Sequence, residues 1–264
     1  MTPSTTQLLA VALLAARRAG EHVMANLGRR DDALRVERAD VKHKLDVEAQ
    51  EAATAVLRAA WPGHAVLGEE TADAPLPDAE VRWVVDPIDG TVNFFHGLPW
   101  WCCCVAAQIN GRTVAGAVCA PELGLTFEAS SDSPALCNGR PLRVSQTDDT
   151  RLATIHSGAY KGEPGSQSFR FMQRMAEIAQ RPRVMGSAAL DICMVASGKA
   201  DAYFEPGIYL WDIAAAGLVL ERAGGTLEVL REFGGWRMAA LATNGKLHAA
   251  CKDALAPLFD GGPA

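Results

Sequence analysis

The sequence predicts a mixed α/β (α+β) protein built in layers. Three observations carry that expectation. Helix-like amphipathic segments and short apolar runs of strand length are interspersed from one end of the chain to the other. Asn-Gly, Pro-Gly and Gly-Gly pairs fall between them, where hairpins and helix ends need them. The chain is 264 residues long, 49% apolar and 21% charged, which suits an ordinary globular protein with an ample core and argues against disorder.

Taken in order, residues 5–27 read as one amphipathic helix and 46–60 as a second, stopped by Trp61-Pro62-Gly63. Ala65-Val66-Leu67 is a short strand entering Gly68-Glu69-Glu70. Val81–Val85, broken only by Arg82, is a buried strand entering an acidic motif. Trp100–Ile109, Thr113–Ala120 and Leu125–Ala129 read as consecutive strands, turned at Asn110-Gly111 and Pro121-Glu122, and Asn138-Gly139 marks another turn. In the second half, Ser166–Ala179 is a helix, Val184 lies on a short strand, and Ala188–Ser197 is a helix stopped by Gly198. Ala200–Phe204 is a strand, and Trp211–Ala223 is a helix closed by Gly224-Gly225. Thr226–Leu230 and Met238–Ala242 are strands and Leu247–Leu258 a final helix. The polar stretch 145–152 divides the chain softly into halves, 1–147 and 148–264, expected to form one unit.

Composition excludes several classes. A net charge of -6 argues against general nucleic-acid binding, which needs fields of Lys and Arg. Leu8–Ala16 is apolar, but its basic residues, Arg17-Arg18, follow it, which is the wrong order for a signal peptide. No apolar stretch reaches the roughly 18–20 residues of a membrane span. The seven cysteines include Cys102-Cys103-Cys104, which cannot all face one way on a strand; they read as buried reduced thiols of a cytoplasmic protein.

The chemistry concentrates in acids at element ends. Asp86-Pro87-Ile88-Asp89-Gly90-Thr91 sets two carboxylates three residues apart, followed by a glycine and a hydroxyl. Mg2+ favours such oxygens and shares its shell with water and substrate phosphate. Backbone N–H groups after the glycine suit a phosphate. Glu69, Glu70 and Asp212 also follow or begin elements. Alone, Asp212 reads as a helix-capping charge and Glu69-Glu70 as a solvated turn. Gathering all five acids would be costly without cations.

These motifs resemble the inositol monophosphatase family. The resemblance rests on Gly68-Glu69-Glu70, on Asp86 to Phe94, and on Trp211-Asp212 with Glu221 to Gly225. Leu136 to Gly139, Gly186 to Leu190 and Gly198 to Glu205 extend it over nearly the whole chain. It implies a layered αβαβα sandwich, shared with fructose-1,6-bisphosphatases, and Mg2+-dependent hydrolysis of a phosphate monoester, foremost inositol 1-phosphate. It also implies that Glu69, Asp86 and the Ile88 carbonyl hold one Mg2+, that Asp86, Asp89 and Asp212 hold a second, and that a weaker third lies near Glu69. By the same resemblance Thr91 and Asp46 flank the attacking water, Gly90 and Thr91 hold the phosphate, and Ala188 and Glu205 contact a polyol leaving group. Lithium sensitivity and a homodimer, with Trp100–Cys104 contributing to its surface, are further implications.

The chain departs from the family's pattern at Asp40-Val41-Lys42-His43-Lys44-Leu45-Asp46, where Lys42 and His43 replace apolar and hydroxyl residues. The segment reads as a solvated, mobile basic loop, or as one touching substrate or the third metal. His96 reads as structural or solvent-facing, Trp100 and Trp101 as packing, and Trp211 as orienting Asp212. Fructose bisphosphatase or histidinol phosphatase activity at the same site is the alternative, and a regulatory binding protein on the same fold is the alternative of another class.

Overall fold

In the computed structural model, residues 3–37, 41–72, 79–158 and 167–259 are described. The first layer is a helix pair. Helix α1 (Thr5–Ala25) starts at Ser4, whose hydroxyl accepts from the Gln7 N–H while the Gln7 side chain accepts from the Ser4 N–H. Its buried Leu8, Ala12, Ala15, Ala16, Ala19 and Val23 recur at helical spacing. They pack against α2 (Lys44–Ala60), which presents Leu45, Ala49, Ala53 and Leu57. Fully burying one such leucine contributes about 2 kcal/mol.

Both helices lie on a seven-stranded sheet ordered β3-β4-β5-β6-β7-β8-β9. Its strands are β3 (Ala65–Gly68), β4 (Val81–Asp89), β5 (Cys102–Ile109), β6 (Arg112–Ala120), β7 (Leu125–Ser130), β8 (Leu136–Cys137) and β9 (Arg140–Pro141). Strand alternation divides the side chains. Trp83, Val85, Cys103, Val105 and Ala107 face the helix pair, whereas Val84, Cys102, Cys104 and Ala106 face the middle of the molecule.

The middle layer is α5 (Ala188–Ala196) with α6 (Leu210–Arg222). A Cβ on Gly116 of β6 would meet the Ala215 backbone at 2.9 Å, so the glycine lets α6 lie directly on the sheet. Beyond it stands a five-stranded sheet ordered β11-β10-β12-β14-β13. It comprises β10 (Thr154–Ser157), β11 (Arg181–Arg183), β12 (Ala202–Tyr209), β13 (Thr226–Gly234) and β14 (Arg237–Thr243). Helices α4 (Gln167–Ile178) and α7 (His248–Phe259) cover its outer face, Phe171 of α4 and Leu255 of α7 packing in one cluster with Phe204 and Leu241 of the sheet. The layers therefore run α, β, α, β, α, as the resemblance implied.

Several expectations are corrected. The basic segment is not a mobile loop: β1 (Ala33–Val36) pairs antiparallel with β2 (Val41–His43), where Val41 and His43 are buried while Lys42 and Lys44 are exposed. Asp40 lies outside the described residues, as does Ser166 at the start of the third expected helix. Asp86 and Asp89 do not sit past a strand end; β4 continues through both, with its register to β5 shifting between them. Pro87 within that shift is tolerated because the irregularity spares its missing N–H. Glu205 likewise lies inside β12, at another register shift, and Val184 falls just outside β11. Of the segment Trp100–Cys104, Trp101 to Cys104 are buried and Trp100 is half-buried. Among the described residues, no helix is long and apolar enough to cross a membrane.

Candidate active site

The site forms where five elements converge. Glu69 follows β3, β4 carries Asp86 and Asp89, the first turn of α2 carries Asp46, β12 carries Glu205 and the first turn of α6 carries Asp212. One carboxylate oxygen from each of Asp86, Asp89 and Asp212 lies within 4.8 Å of the others. These three residues, with Glu69, Ile88, Gly90, Thr91, Ala188 and Glu205, line a single cavity of about 530 Å3. Asp46 is reached through Thr91, whose hydroxyl donates to the Ile88 carbonyl at 2.9 Å and lies 3.3 Å from the Asp46 Oδ1. Every candidate residue is thus brought to one place.

Local sequence explains the placement. Gly90 adopts φ +94, and a Cβ there would meet the Trp100 carbonyl oxygen at 2.9 Å. Only glycine turns the chain so sharply out of β4 into the one-turn helix α3 (Thr91–Phe95). Asn93 fastens that turn by donating from Nδ2 to the carbonyls of Trp100 and Met185, both at 2.8 Å. Asp212 accepts from the Tyr209 N–H at 2.8 Å, and Tyr209 stacks on Trp211 at 4.8 Å. Trp211 therefore helps to fix the start of α6, as its position suggested.

Electrostatically the site is a cluster of buried carboxylates that raise one another. Burial, and then the charges of Glu69, Asp89 and Asp212, push Asp86 well above the usual carboxylate range. Among the described residues, neither buried Asp86 oxygen has a hydrogen-bond donor. Asp212 is raised by burial and by Asp89 and Glu69. Burial lifts Asp89 to about 6, against the pull of the Ser187 hydroxyl and the Ala189 and Ala188 N–H groups. Those three donors lie at 2.6, 2.7 and 3.2 Å. Glu69 rises to about 7 through burial and the adjacent Glu70, opposed by Lys42. Lys42 stands 3.8 Å from the Glu70 carboxylate. Asp46 is raised by burial and by Glu69 and Glu70.

Three supports were not predicted. Ser187 holds Asp89, although its segment had been singled out only for its resemblance. Gln50 accepts from the Glu70 N–H at 3.0 Å and closes over Gly68, where a Cβ would clash at 2.2 Å. His43 caps α2: its Nδ1 accepts from the Leu45 N–H and its Nε2 lies 2.9 Å from the Arg30 carbonyl oxygen. The ring thus caps the helix start as a hydroxyl or carboxylate side chain could. His96 is exposed and edge-on to Phe95.

The model of the inositol monophosphatase family matches residues 4–256. A Nus factor SuhB of Pasteurella multocida is 35% identical over 83% of this chain and 83% of its own length. An inositol-1-monophosphatase of Mycobacterium leprae is 38% identical over 66% of this chain and 62% of its own. The solved structure of an inositol monophosphatase from Anabaena (Nostoc) sp. PCC 7120 superposes with a TM-score of 0.83 at 28% identity, over 96% of each chain. On its sequence, its layers and its acidic cleft, the chain belongs to the inositol monophosphatase family.

Proposed function

We propose that the protein is a Mg2+-dependent phosphate monoester hydrolase whose foremost substrate is inositol 1-phosphate. The observation that carries this reading is Asp86. A buried carboxylate with no donor to either oxygen among the described residues, set beside other carboxylates, is an expensive arrangement unless a cation joins it. Its neighbours supply only oxygen, the ligand chemistry of a hard divalent ion. Glu69, Asp86 and the Ile88 carbonyl would hold one Mg2+, and Asp86, Asp89 and Asp212 a second, with a weaker third near Glu69. Bound Mg2+ supplies an activated water and neutralises charge on the phosphoryl and leaving oxygens.

The chain's own groups do the rest. The Thr91 hydroxyl stands between the Ile88 carbonyl and Asp46, so a proton leaving the water passes to Thr91 while Asp46 receives the Thr91 proton. Asp46 would accept it through the Oδ1 that faces the Thr91 hydroxyl. The N–H groups of Gly90 and Thr91 hold the phosphate. Ala188 and Glu205 meet the hydroxyls of the leaving polyol, since a carboxylate accepts from several donors at once. Seven unpaired thiols suit a reducing cytoplasm, and a homodimer is the expected assembly. Li+ in the second metal position would inhibit.

The test is phosphate release from inositol 1-phosphate, fructose 1,6-bisphosphate and histidinol phosphate, with and without Mg2+. Mg2+-dependent turnover led by inositol 1-phosphate supports the reading, and another leader keeps the chemistry while changing the substrate. The relatives named Nus factor SuhB favour a second reading, a regulatory binding protein. No turnover of any ester, with an Asp89→Asn variant behaving as the wild type in every assay, would favour it.

A further inference from the structure

We propose that Asp191, held by His156, is a specificity-determining residue that accepts a hydrogen bond from a donor on the leaving group. The inference rests on the phosphatase reading of this cavity and names a residue that reading does not use.

Asp191 lies in the first turn of α5, and its N–H closes that turn on the Ser187 carbonyl at 3.0 Å. The same turn offers the Ala188 and Ala189 N–H groups to Asp89. One rigid helix start therefore sets both a metal-cluster carboxylate and Asp191, so the reacting phosphate and the group Asp191 would touch keep a fixed separation. Asp191 is 1% exposed yet lines the cavity, on the wall that also carries Tyr203 and Glu205. Tyr203 donates its hydroxyl to Glu205 and pairs in register with His156 on β10.

His156 is itself buried, and its Nδ1 lies 2.8 Å from the Asp191 Oδ1. Burial raises Asp191, and His156 opposes that rise. The ring thus orients the carboxylate through Oδ1, and the Trp100 side chain also opposes the rise. Packing alone gives no reason for a buried histidine–carboxylate contact here. Two apolar side chains of similar volume would fill such a place at least as well. A carboxylate on a cavity wall selects hydrogen-bond donors, either the hydroxyls of a polyol or an ammonium group on the leaving alcohol.

The test uses the full chain with Asp191→Asn, which keeps the size and can still accept from His156. The quantity read is kcat/KM for inositol 1-phosphate divided by kcat/KM for p-nitrophenyl phosphate, whose leaving group bears no donor. The ratio should fall at least tenfold, carried by KM, the scale of one lost charge-assisted hydrogen bond. His156→Gln should move it in the same direction by less. Equal losses on both substrates would make the pair merely structural and overturn the proposal. Histidinol phosphate as a third substrate separates the two donors: a larger ratio change there assigns an ammonium, and a larger change with inositol phosphate assigns hydroxyls. A wild type that hydrolyses p-nitrophenyl phosphate with no preference for donor-bearing esters overturns this inference while leaving the hydrolase reading intact. Calorimetric binding of inositol 1-phosphate with Ca2+ provides a readout without turnover. Equal affinity of wild type and Asp191→Asn, or no binding by the wild type, again overturns the proposal.

Discussion

Asp86→Asn should make the metal-free protein more stable while abolishing its chemistry. Oxygens of Asp86, Asp89 and Asp212 lie within 4.8 Å of one another. One pair of like charges at that separation repels by about 3.5 kcal/mol at an effective dielectric of about 20. Proton uptake limits the cost. Asp89, raised from 3.8 to about 6, marks the scale, about 3 kcal/mol between its two protonation states. Because neither Asp86 oxygen has a hydrogen-bond donor among the described residues, the amide forfeits none. A gain of about 2 kcal/mol at pH 8 in EDTA follows, or roughly 4–8 °C in Tm for a chain of this size. The pH dependence has a definite sign. Asp89 and Glu69 titrate near 6 and 7 when folded, above their ordinary 3.8 and 4.5. The folded state therefore binds more protons across that window, and metal-free stability falls as pH rises from about 4 to about 7. Saturating Mg2+ reverses the ranking, since the wild type gains about 2.7 kcal/mol at a hundredfold excess over Kd and the variant loses most of that. Thermal melts of both proteins, in EDTA and in Mg2+, read all of this. A variant less stable than the wild type in EDTA, or equally stabilised by Mg2+, would refute the reasoning.

Three further predictions follow from single contacts. Gly90→Ala places a Cβ 2.9 Å from the Trp100 carbonyl oxygen at φ +94; it should cost about 2–4 kcal/mol by chemical denaturation and remove activity. Thr91→Val removes the hydroxyl between Ile88 and Asp46; kcat should fall about 10²–10⁴-fold with KM little changed, and a change confined to KM would displace Thr91 from the proton path. His43→Ala removes the α2 cap and a ring packed at 5.5 Å against Phe94; a loss of about 2–3 kcal/mol is expected, whereas Lys44→Ala on the exposed side should fall within 0.5 kcal/mol.

Much of the fold was legible because the relevant signals are local. The Asn110-Gly111 turn announced the β5–β6 hairpin, with both residues at positive φ. The three adjacent cysteines divided between two core faces, as strand alternation requires. The misses are equally physical. β2 has only three residues, and its alternation is hidden because a buried histidine serves as a cap. β10 is a four-residue strand with no turn residue of its own to mark it, paired to partners 27 and 47 positions away, as with Thr154 to Arg181 and Ile155 to Ala202 at the register's start. Asp86, Asp89 and Asp212 were found because their motifs are short. Ser187 and the His156–Asp191 pair were not, because contacts across 98 and 35 residues leave no local pattern.

The most direct test of the central claim is phosphate release from inositol 1-phosphate by the wild type and by Asp89→Asn, each with Mg2+ and with EDTA. The account predicts turnover by the wild type in Mg2+ alone and none by the variant. Release in EDTA, or an undiminished rate in Asp89→Asn, would contradict the assignment of the acidic cluster as a metal site.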